Sequence, residues 1–452
     1  MNILVLGAGK VGRNIAKNLA RQTFDVCIVD VDIERLKSIQ EDHDLAIVQG
    51  HASSPEVLKK AGANIETVVL AVTNDDEVNI VACQLAKKLF NVSKTICRLS
   101  DYTYIENLGA LGKDNIDVAI SPELEVTQNI VDLINHPGAE QIESFADGKV
   151  KLVSVKAKKD GKLVNRELKS IKSDLPEIDT FVPTIFRKNK PVVPDGSTVI
   201  KENDEVYFLS SEENIDKIVN ELRDQGDTSS RIMIVGGGRI GLSLAMTLEK
   251  NYKVKVLEQD HTKCESIAKD LNKAIVLKGS GSDEELLRSE NIENIDVFCA
   301  LTNDDETNIM SAFLAKKLGA KKTLIILNNY SYINILPKSF VDLPLSPQRM
   351  TVSLVMQHLT SVDMPQEVLL KMNSGVEALE GVTHFNNDTK DLFGSKYVLL
   401  PLPENSVLGS IYRNGKNIIP SDDLTIERDD HLIVFINGKT DKSQIEKLFK
   451  ES

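Results

Sequence analysis

Ile3-Leu-Val-Leu-Gly-Ala-Gly-Lys-Val-Gly12 decides the fold. Ile3 to Leu6 is an apolar run of strand length, and a helical pattern through Ile15 and Leu19 follows it. Strand, glycine turn and helix are the context of a dinucleotide fingerprint. The first glycine permits a tight turn. The second lets a pyrophosphate approach the backbone, and the third lets helix and strand pack closely. The N–H groups opening the helix then face the anion. No signal-peptide pattern precedes this strand, so it is expected to enter the sheet from the start of the chain.

The same stretch recurs. Arg231-Ile-Met-Ile-Val-Gly-Gly-Gly-Arg-Ile-Gly241 places a second fingerprint 229 residues after the first. Val26–Val29 and Val254–Leu257 read as second strands, ending at Asp30 and Glu258. Thr73-Asn-Asp-Asp-Glu77 returns as Thr302-Asn-Asp-Asp-Glu306, and Ile120-Ser-Pro122 as Leu345-Ser-Pro347. Strands alternating with helices argue for a parallel, doubly wound α/β sheet. Residues 145–219 alternate differently, with strands at 150–155, 182–186 and 206–209 and turns at Pro194-Asp-Gly196 and Asn203-Asp204. They read as a small α+β module. A second such module covers 375–448, its clearest strands at 398–401 and 432–436. The order is a tandem duplication: sheet domain 1–135, module 140–221, sheet domain 230–350, module 370–450. Residues 222–231 read as a linker. The helical run 122–134 covers its own domain or crosses to a partner, and its place at a domain junction favours crossing.

Composition narrows the function. The formal charge is −13, from 54 basic and 67 acidic residues. A nucleic-acid surface needs concentrated Lys and Arg, and so does adhesion to anionic lipid. No apolar run approaches bilayer length. The five cysteines have neither CxxC nor metal spacing and read as reduced core residues. None of the seven histidines, His51 included, falls in a catalytic constellation, as a dehydrogenase would require.

Asp30 and Glu258 are positioned to accept the hydroxyls of an adenosine ribose, and they would repel a 2′-phosphate. Thr73-Asn74 and Thr302-Asn303 follow a strand on the ligand edge. Either they contact ligand, or the segment caps a helix, and the two readings are compatible. Arg98 interrupts the apolar run 95–99 and must meet a phosphate, a neighbouring subunit or a structural acid. Its counterpart is Ile326, so the two pockets are electrically unequal. Lys10 and Arg239 occupy equivalent places in the two glycine loops.

This duplicated order resembles the TrkA family of Trk potassium-uptake regulatory subunits, built of two regulator-of-potassium-conductance (RCK, or KTN) units. The resemblance rests on Gly7 to Gly12, Asp30, 71–77, Arg98 and 120–122, and on their copies. It implies a non-enzymatic protein peripheral to the cytoplasmic face of the inner membrane. There it would gate a membrane-embedded potassium translocator of the TrkH or TrkG type, as a homo-oligomeric ring of sheet domains (dimer or tetramer). It implies binding of NAD(H), and in some members ATP or ADP. By position the first site is Gly7, Ala8, Gly9, Lys10, Val11, Asp30, Thr73, Asn74 and Arg98. The second is Gly236, Gly237, Gly238, Arg239, Ile240, Glu258, Thr302 and Asn303. The alternatives are an NAD-dependent oxidoreductase with a degenerate duplicate, and a soluble nucleotide sensor.

Overall fold

A computed structural model describes residues 2–449, except 21–23, 42–44, 110–114, 147, 175–177, 223–229, 338, 360–365, 371–374, 385–393, 398–399, 422, 439 and 441. The first sheet domain runs β1 (Asn2–Leu6), α1 (Lys10–Ala20), β2 (Asp25–Asp30), α2 (Ile33–Gln40), β3 (Ala46–Gln49), α3 (Pro55–Lys60), β4 (Thr67–Ala71), α4 (Asp76–Phe90), β5 (Lys94–Arg98), α5 (Tyr102–Glu106), β6 (Val118–Ile120) and α6 (Pro122–Asn135). All its strand pairs are parallel, in the order β3-β2-β1-β4-β5-β6. The order reverses between β1 and β4, the switch point where ligands bind in open sheets. β1 is central because both its faces are apolar. Ile3 and Val5 pack with Ile15 and Leu19 of α1, while Leu4 and Leu6 pack with Ile80 and Cys83 of α4. A strand exposes alternate residues to opposite faces, so a continuous apolar run suits a sheet covered on both sides.

The first small module contains β7 (Ala139–Phe145), β8 (Val150–Lys156), α7 (Ile171–Asp174), β9 (Thr180–Arg187), β10 (Lys190–Val192), β11 (Glu205–Ser211) and α8 (Ile215–Glu221). The second sheet domain follows as β12 (Arg231–Val235), α9 (Arg239–Leu248), β13 (Lys253–Glu258), α10 (His261–Asp270), β14 (Ile275–Lys278), α11 (Glu284–Ser289), β15 (Val297–Ala300), α12 (Asp305–Lys317), β16 (Lys322–Ile326), α13 (Tyr330–Ile335), β17 (Leu343–Leu345) and α14 (Pro347–Leu359). Its order, β14-β13-β12-β15-β16-β17, copies the first sheet. The second module carries β18 (Gln366–Leu369), β19 (Val376–Val382), β20 (Ser406–Arg413), β21 (Lys416–Ile418), β22 (His431–Asn437) and α15 (Ser443–Phe449).

These elements form two compact units: residues 1–128 with 230–359, and 129–229 with 360–452. The first unit pairs the sheet domains. Its clearest joint is α14, which leaves the second sheet and lies on the first. Val355 is buried in the core of Ile3, Ile15 and Leu19, flanked by Val352 and Met356. Lys94 Nζ donates to the His358 carbonyl at 2.5 Å. Burial there lowers the Lys94 ammonium pKa, against the pull of Asp117. The helix after the second sheet thus crosses onto the other sheet domain of the same chain. The equivalent α6 spans the boundary between the two units.

The second unit pairs the modules. Their antiparallel sheets, β10-β9-β11-β8-β7 and β18-β19-β22-β20-β21, have the same topology read in opposite directions. Phe145, Phe186 and Tyr207 share one core with Ala378, Ile433 and Phe435. Tyr207 Oη donates to the Leu370 carbonyl at 3.2 Å. Each module also holds an arginine fork on a buried aspartate. Arg187 Nε and Nη2 reach Asp204 at 2.9 and 2.7 Å, and Arg413 reaches Asp430 at 2.6 and 2.7 Å. Asn203-Asp204 and Asp429-Asp430 thus do more than turn the chain. The first residue of each pair takes a positive φ, and the second anchors the fork. The strand expected at 398–401 is absent at Leu400 and Pro401, while 398 and 399 lie outside the described residues. The strand is instead β20, where Gly409 and Ser410 hide the alternation. Most of the expected linker, 223–229, also lies outside them.

Two predictions follow from this packing. A Cβ on Gly12 would sit 1.8 Å from the Gly7 carbonyl oxygen, and one on Gly241 1.9 Å from that of Gly236. Gly12→Ala and Gly241→Ala are each expected to cost about 3 kcal/mol through backbone overpacking, read as a fall in thermal midpoint. The second concerns Glu249, which ends α9. Burial would raise its pKa, but the N–H groups of Lys273, Ala274 and Asn272 outweigh burial and pull it down to about 2. The folded value is depressed from 4.5, so this stabilisation is complete above pH 4.5 and lost as pH falls toward 2. Glu249→Gln should remove that part of the acid sensitivity in thermal melts at stepped pH; an unaltered acid profile would exclude this role.

Candidate nucleotide sites

Each glycine loop leaves the carboxyl end of its central strand and turns back on one residue of positive φ, Gly7 at +108° and Gly236 at +99°. Glycine alone adopts this without strain. The following N–H groups meet the expected acids. Ala8 N donates to Asp30 Oδ2 at 2.6 Å, and Gly237 N to Glu258 Oε2 at 2.9 Å. The other carboxylate oxygen takes Asp32 N in the first half, and Gln259 N and Asp260 N in the second. An ionised carboxylate offers about four acceptor positions, so each acid retains capacity for a hydroxyl donor. Gly9 and Gly238 border open space: a Cβ on either meets nothing within 4 Å.

Thr73 and Thr302 lie against the first glycine of each loop, where a Cβ on Gly7 or Gly236 would meet their backbone at 3.1 and 3.0 Å. They are held by a residue whose part the sequence analysis left unassigned. Asn79, fully buried on α4, accepts from Thr73 N at 3.0 Å and Thr73 Oγ1 at 2.7 Å. Its amide donates to the carbonyls of Thr73 and Arg98 at 3.2 and 3.0 Å. Asn308 repeats all four bonds with Thr302 and Ile326. The repetition of Asn79 as Asn308 was the available sequence signal. Asp75 and Asp304 cap α4 and α12. Asp76 accepts from Ser100 N and Asp101 N, as Asp305 does from Asn328 N and Asn329 N. Glu77 and Glu306 accept from the Tyr104 and Tyr332 hydroxyls. The acidic run is therefore committed to the fold, and Asn74 and Asn303 sit on the loop it secures.

The halves differ in charge. Arg98 ends β5 and pairs with Glu123 of α6, Nη2 to Oε1 at 2.8 Å. In the second half Ile326 is buried at the same register, opposite Leu345 as Arg98 is opposite Ile120. Arg239 acts across the halves. The Asp101 carboxyl is held below its usual range by the Thr103 hydroxyl, then the Thr103 N–H, and further by the Arg239 guanidinium. The second half encloses a cleft of about 310 Å³ lined by Gly236, Gly238, Glu258, Lys263, Thr302 and Asn303. That volume is at the lower end of small-ligand pockets. Lys263 is a cation that spacing from the fingerprint did not single out. Among the described residues no His/Cys/Asp/Glu cluster could hold a metal ion. No described helix is long and apolar enough to cross a membrane. The buried Cys299 thiol, pushed up to about 12 by burial, is chemically inert.

Two glycine-loop sheets, each followed by a small antiparallel module, define a duplicated nucleotide-binding class of α/β protein. Residues 3–122 and 232–347 match the TrkA-N domain family, and 152–223 the TrkA-C domain family. The chain is 41% identical to the Trk system potassium uptake protein TrkA of Vibrio alginolyticus, over all of this chain and 99% of that one. It is 39% identical to the protein of the same name from Halomonas elongata, again over 100% and 99%. A solved structure titled "GsuK channel bound to NAD" shares the fold at a TM-score of 0.63 and 14% identity, covering 99% of this chain and 78% of that one. The chain belongs to the Trk system potassium uptake protein TrkA family.

The asparagine bracket is testable. Asn79→Ala or Asn308→Ala strands several buried backbone groups, each costing about 1–3 kcal/mol unpaired. Either should lower the thermal midpoint and speed amide exchange at 73–75 or 302–304. Unchanged exchange there would separate the asparagine from the loop.

Proposed function

We propose that this chain is a regulatory subunit of a membrane-embedded potassium translocator of the TrkH or TrkG type, and that nucleotides bound at its two glycine loops are signals. The observation that carries this reading is the pair of open glycine cradles inside one unit, each with a carboxylate bonded to the loop N–H. The relatives bear the name of a potassium uptake protein, which supports the transport setting. NAD(H) suits the donor set: N–H groups opening α1 and α9 for the pyrophosphate, and Asp30 or Glu258 for the ribose hydroxyls. ADP or ATP presents the same ribose and phosphates. The bound group supplies charge and hydroxyls to these loops, and no hydride need move.

The chain then acts by linkage. A ligand shifts a conformational equilibrium only through its difference in affinity for the two forms. The loops sit in the unit where α14 joins the two sheet domains, so an anion at one loop can bias the packing of both halves. The partner would read that bias from the cytoplasmic side, with several copies forming a ring as dimer or tetramer.

Gly9→Asp and Gly238→Asp place a like charge where phosphate would lie, in space that a side chain can occupy. Each should keep the thermal midpoint. Each should weaken NADH or ADP binding at its own loop by roughly a hundredfold, from several kcal/mol of repulsion. Calorimetry would count the sites lost, and potassium uptake with the translocator would report the signal. Wild-type affinity in both variants would sink the proposal.

A further inference from the structure

The two acids at the ends of β2 and β13 carry different loads. Asp30 accepts from two N–H groups, those of Ala8 and Asp32. Glu258 accepts from three, those of Gly237, Gln259 and Asp260. A carboxylate offers about four acceptor positions. Asp30 therefore keeps room for both hydroxyls of an adenosine ribose, and Glu258 for one. Their neighbours differ as well. Gln49 pairs with Asp30 in the β2–β3 ladder, and its amide donates to the Val31 carbonyl at 3.1 Å. Lys278 holds the same place beside Glu258. Arg35 and Lys263 each follow the aspartate that caps their helix. Arg35 is drawn back onto its cap, Nε to Asp32 Oδ2 at 3.1 Å. Lys263 instead lines the second cleft with Glu258 and Gln259. Among the described residues neither the Lys263 nor the Lys278 ammonium has a hydrogen bond or an ion pair. The Cys264 thiol, 3.3 Å from the Glu258 carbonyl, reports this setting. Burial and then the Glu258 carboxylate raise its pKa, and the Lys278 ammonium opposes them. Lys278 and Glu258 thus act on one point at the end of β13.

We propose that the second pocket takes an adenosine dinucleotide with a phosphate on its ribose, of the NADP(H) class, and that Lys263 and Lys278 select it. This rests on the reading that the second glycine loop binds a nucleotide. The one acceptor position left on Glu258 receives the 3′-hydroxyl. The neighbouring 2′-phosphate meets the two ammonium groups, and charge-assisted bonds of this kind are among the strong ones. An isolated carboxylate would repel that phosphate, as expected at Asp30. At Glu258 three N–H donors and two nearby cations offset the repulsion. The first pocket has Gln49 and the committed Arg35 in their place, and it selects the ribose without phosphate. One chain thereby reads two dinucleotides that differ only at the ribose.

The test uses the full chain carrying Gly9→Asp, so that only the second pocket binds, titrated with NADH and NADPH. NADPH should bind roughly tenfold tighter, the scale of a hydrogen bond to a charged group. The preference should shrink as salt screens the exposed lysines. Adding Lys263→Gln with Lys278→Gln should keep the thermal midpoint and lower NADPH affinity roughly a hundredfold, so that NADH becomes the better ligand. In competition, 2′,5′-ADP should displace the dinucleotide better than 3′,5′-ADP. Equal displacement by the two would detach the lysines from the 2′ position and overturn the assignment. A parent that does not distinguish NADPH from NADH, or a ratio that the lysine changes leave unaltered, would also overturn it. A wild type that binds dinucleotide while the Gly9→Asp chain binds none would confine binding to the first pocket and overturn this proposal alone. A wild type that binds neither would overturn the nucleotide reading itself.

Discussion

The close approach of Gly12 to the Gly7 carbonyl, and of Gly241 to that of Gly236, is the constraint on which each half depends. It lets the first helix start directly over the end of the central strand. The helix N-terminus therefore opens at the sheet edge, where the strand order reverses. No other residue permits this, because a single methyl carbon would overlap a backbone oxygen. Once the helix is there, its unpaired N–H groups need acceptors. Asp30 and Glu258, from the adjacent strand, supply one acceptor each to the loop. The loop is thus pre-organised by the same carboxylate that would receive a ribose, and ligand binding need not reorder the backbone.

Much of this was legible in the sequence because its signals are local and were stated twice. The fingerprints, the acids ending β2 and β13, and the Thr-Asn-Asp-Asp-Glu segments all depend on residues close in the chain. Duplication separates pattern from coincidence. The less legible features depend on partners far away. Asn79 bonds to Thr73 nearby but also to Arg98, across the sheet edge. Nothing in the spacing of Asn203-Asp204 says that Arg187 forks onto the aspartate. The second module was obscured because Gly409 and Ser410 interrupt the alternation of β20. There a bulge in the pairing with β22 lets Gly409 accommodate the Phe435 ring. Arg98 was recognised as anomalous, but its partner depends on where α6 begins.

The two halves share a scaffold and differ in the few groups that carry charge. Both keep the asparagine bracket, the helix-capping aspartates and the tyrosine–glutamate bond, since these hold the loop whatever it binds. They diverge at Arg98 and Glu123 against Ile326 and Gln348, at Asp101 against Asn329, and at Lys10 against Arg239. The asparagines of the bracket cannot change singly, because Asn79 and Asn308 are fully buried and bonded through both amide atoms. The Asp101–Arg239 interaction joins the two classes. Arg239 of the second glycine loop adds to the lowering of the Asp101 carboxyl in the first half, so the two halves touch electrically at that point.

That coupling bears on why one chain would retain two unequal pockets. Two identical sites in a pair of sheet domains would respond to one ligand in proportion to its occupancy. On the proposed function, unequal sites in the same unit would let one ligand set the background against which a second is read, because each would act on the same joint. The joint is narrow: α14 is a single helix whose apolar side is absorbed into the other half's core, with Lys94 fixing its last turn. Any ligand that alters the angle of α1 must move Ile15 and Leu19 against Val355. Close-packed interiors do not deform smoothly, and small shifts resolve into discrete arrangements. A packed helix joint between unequal pockets is therefore suited to switching between two states.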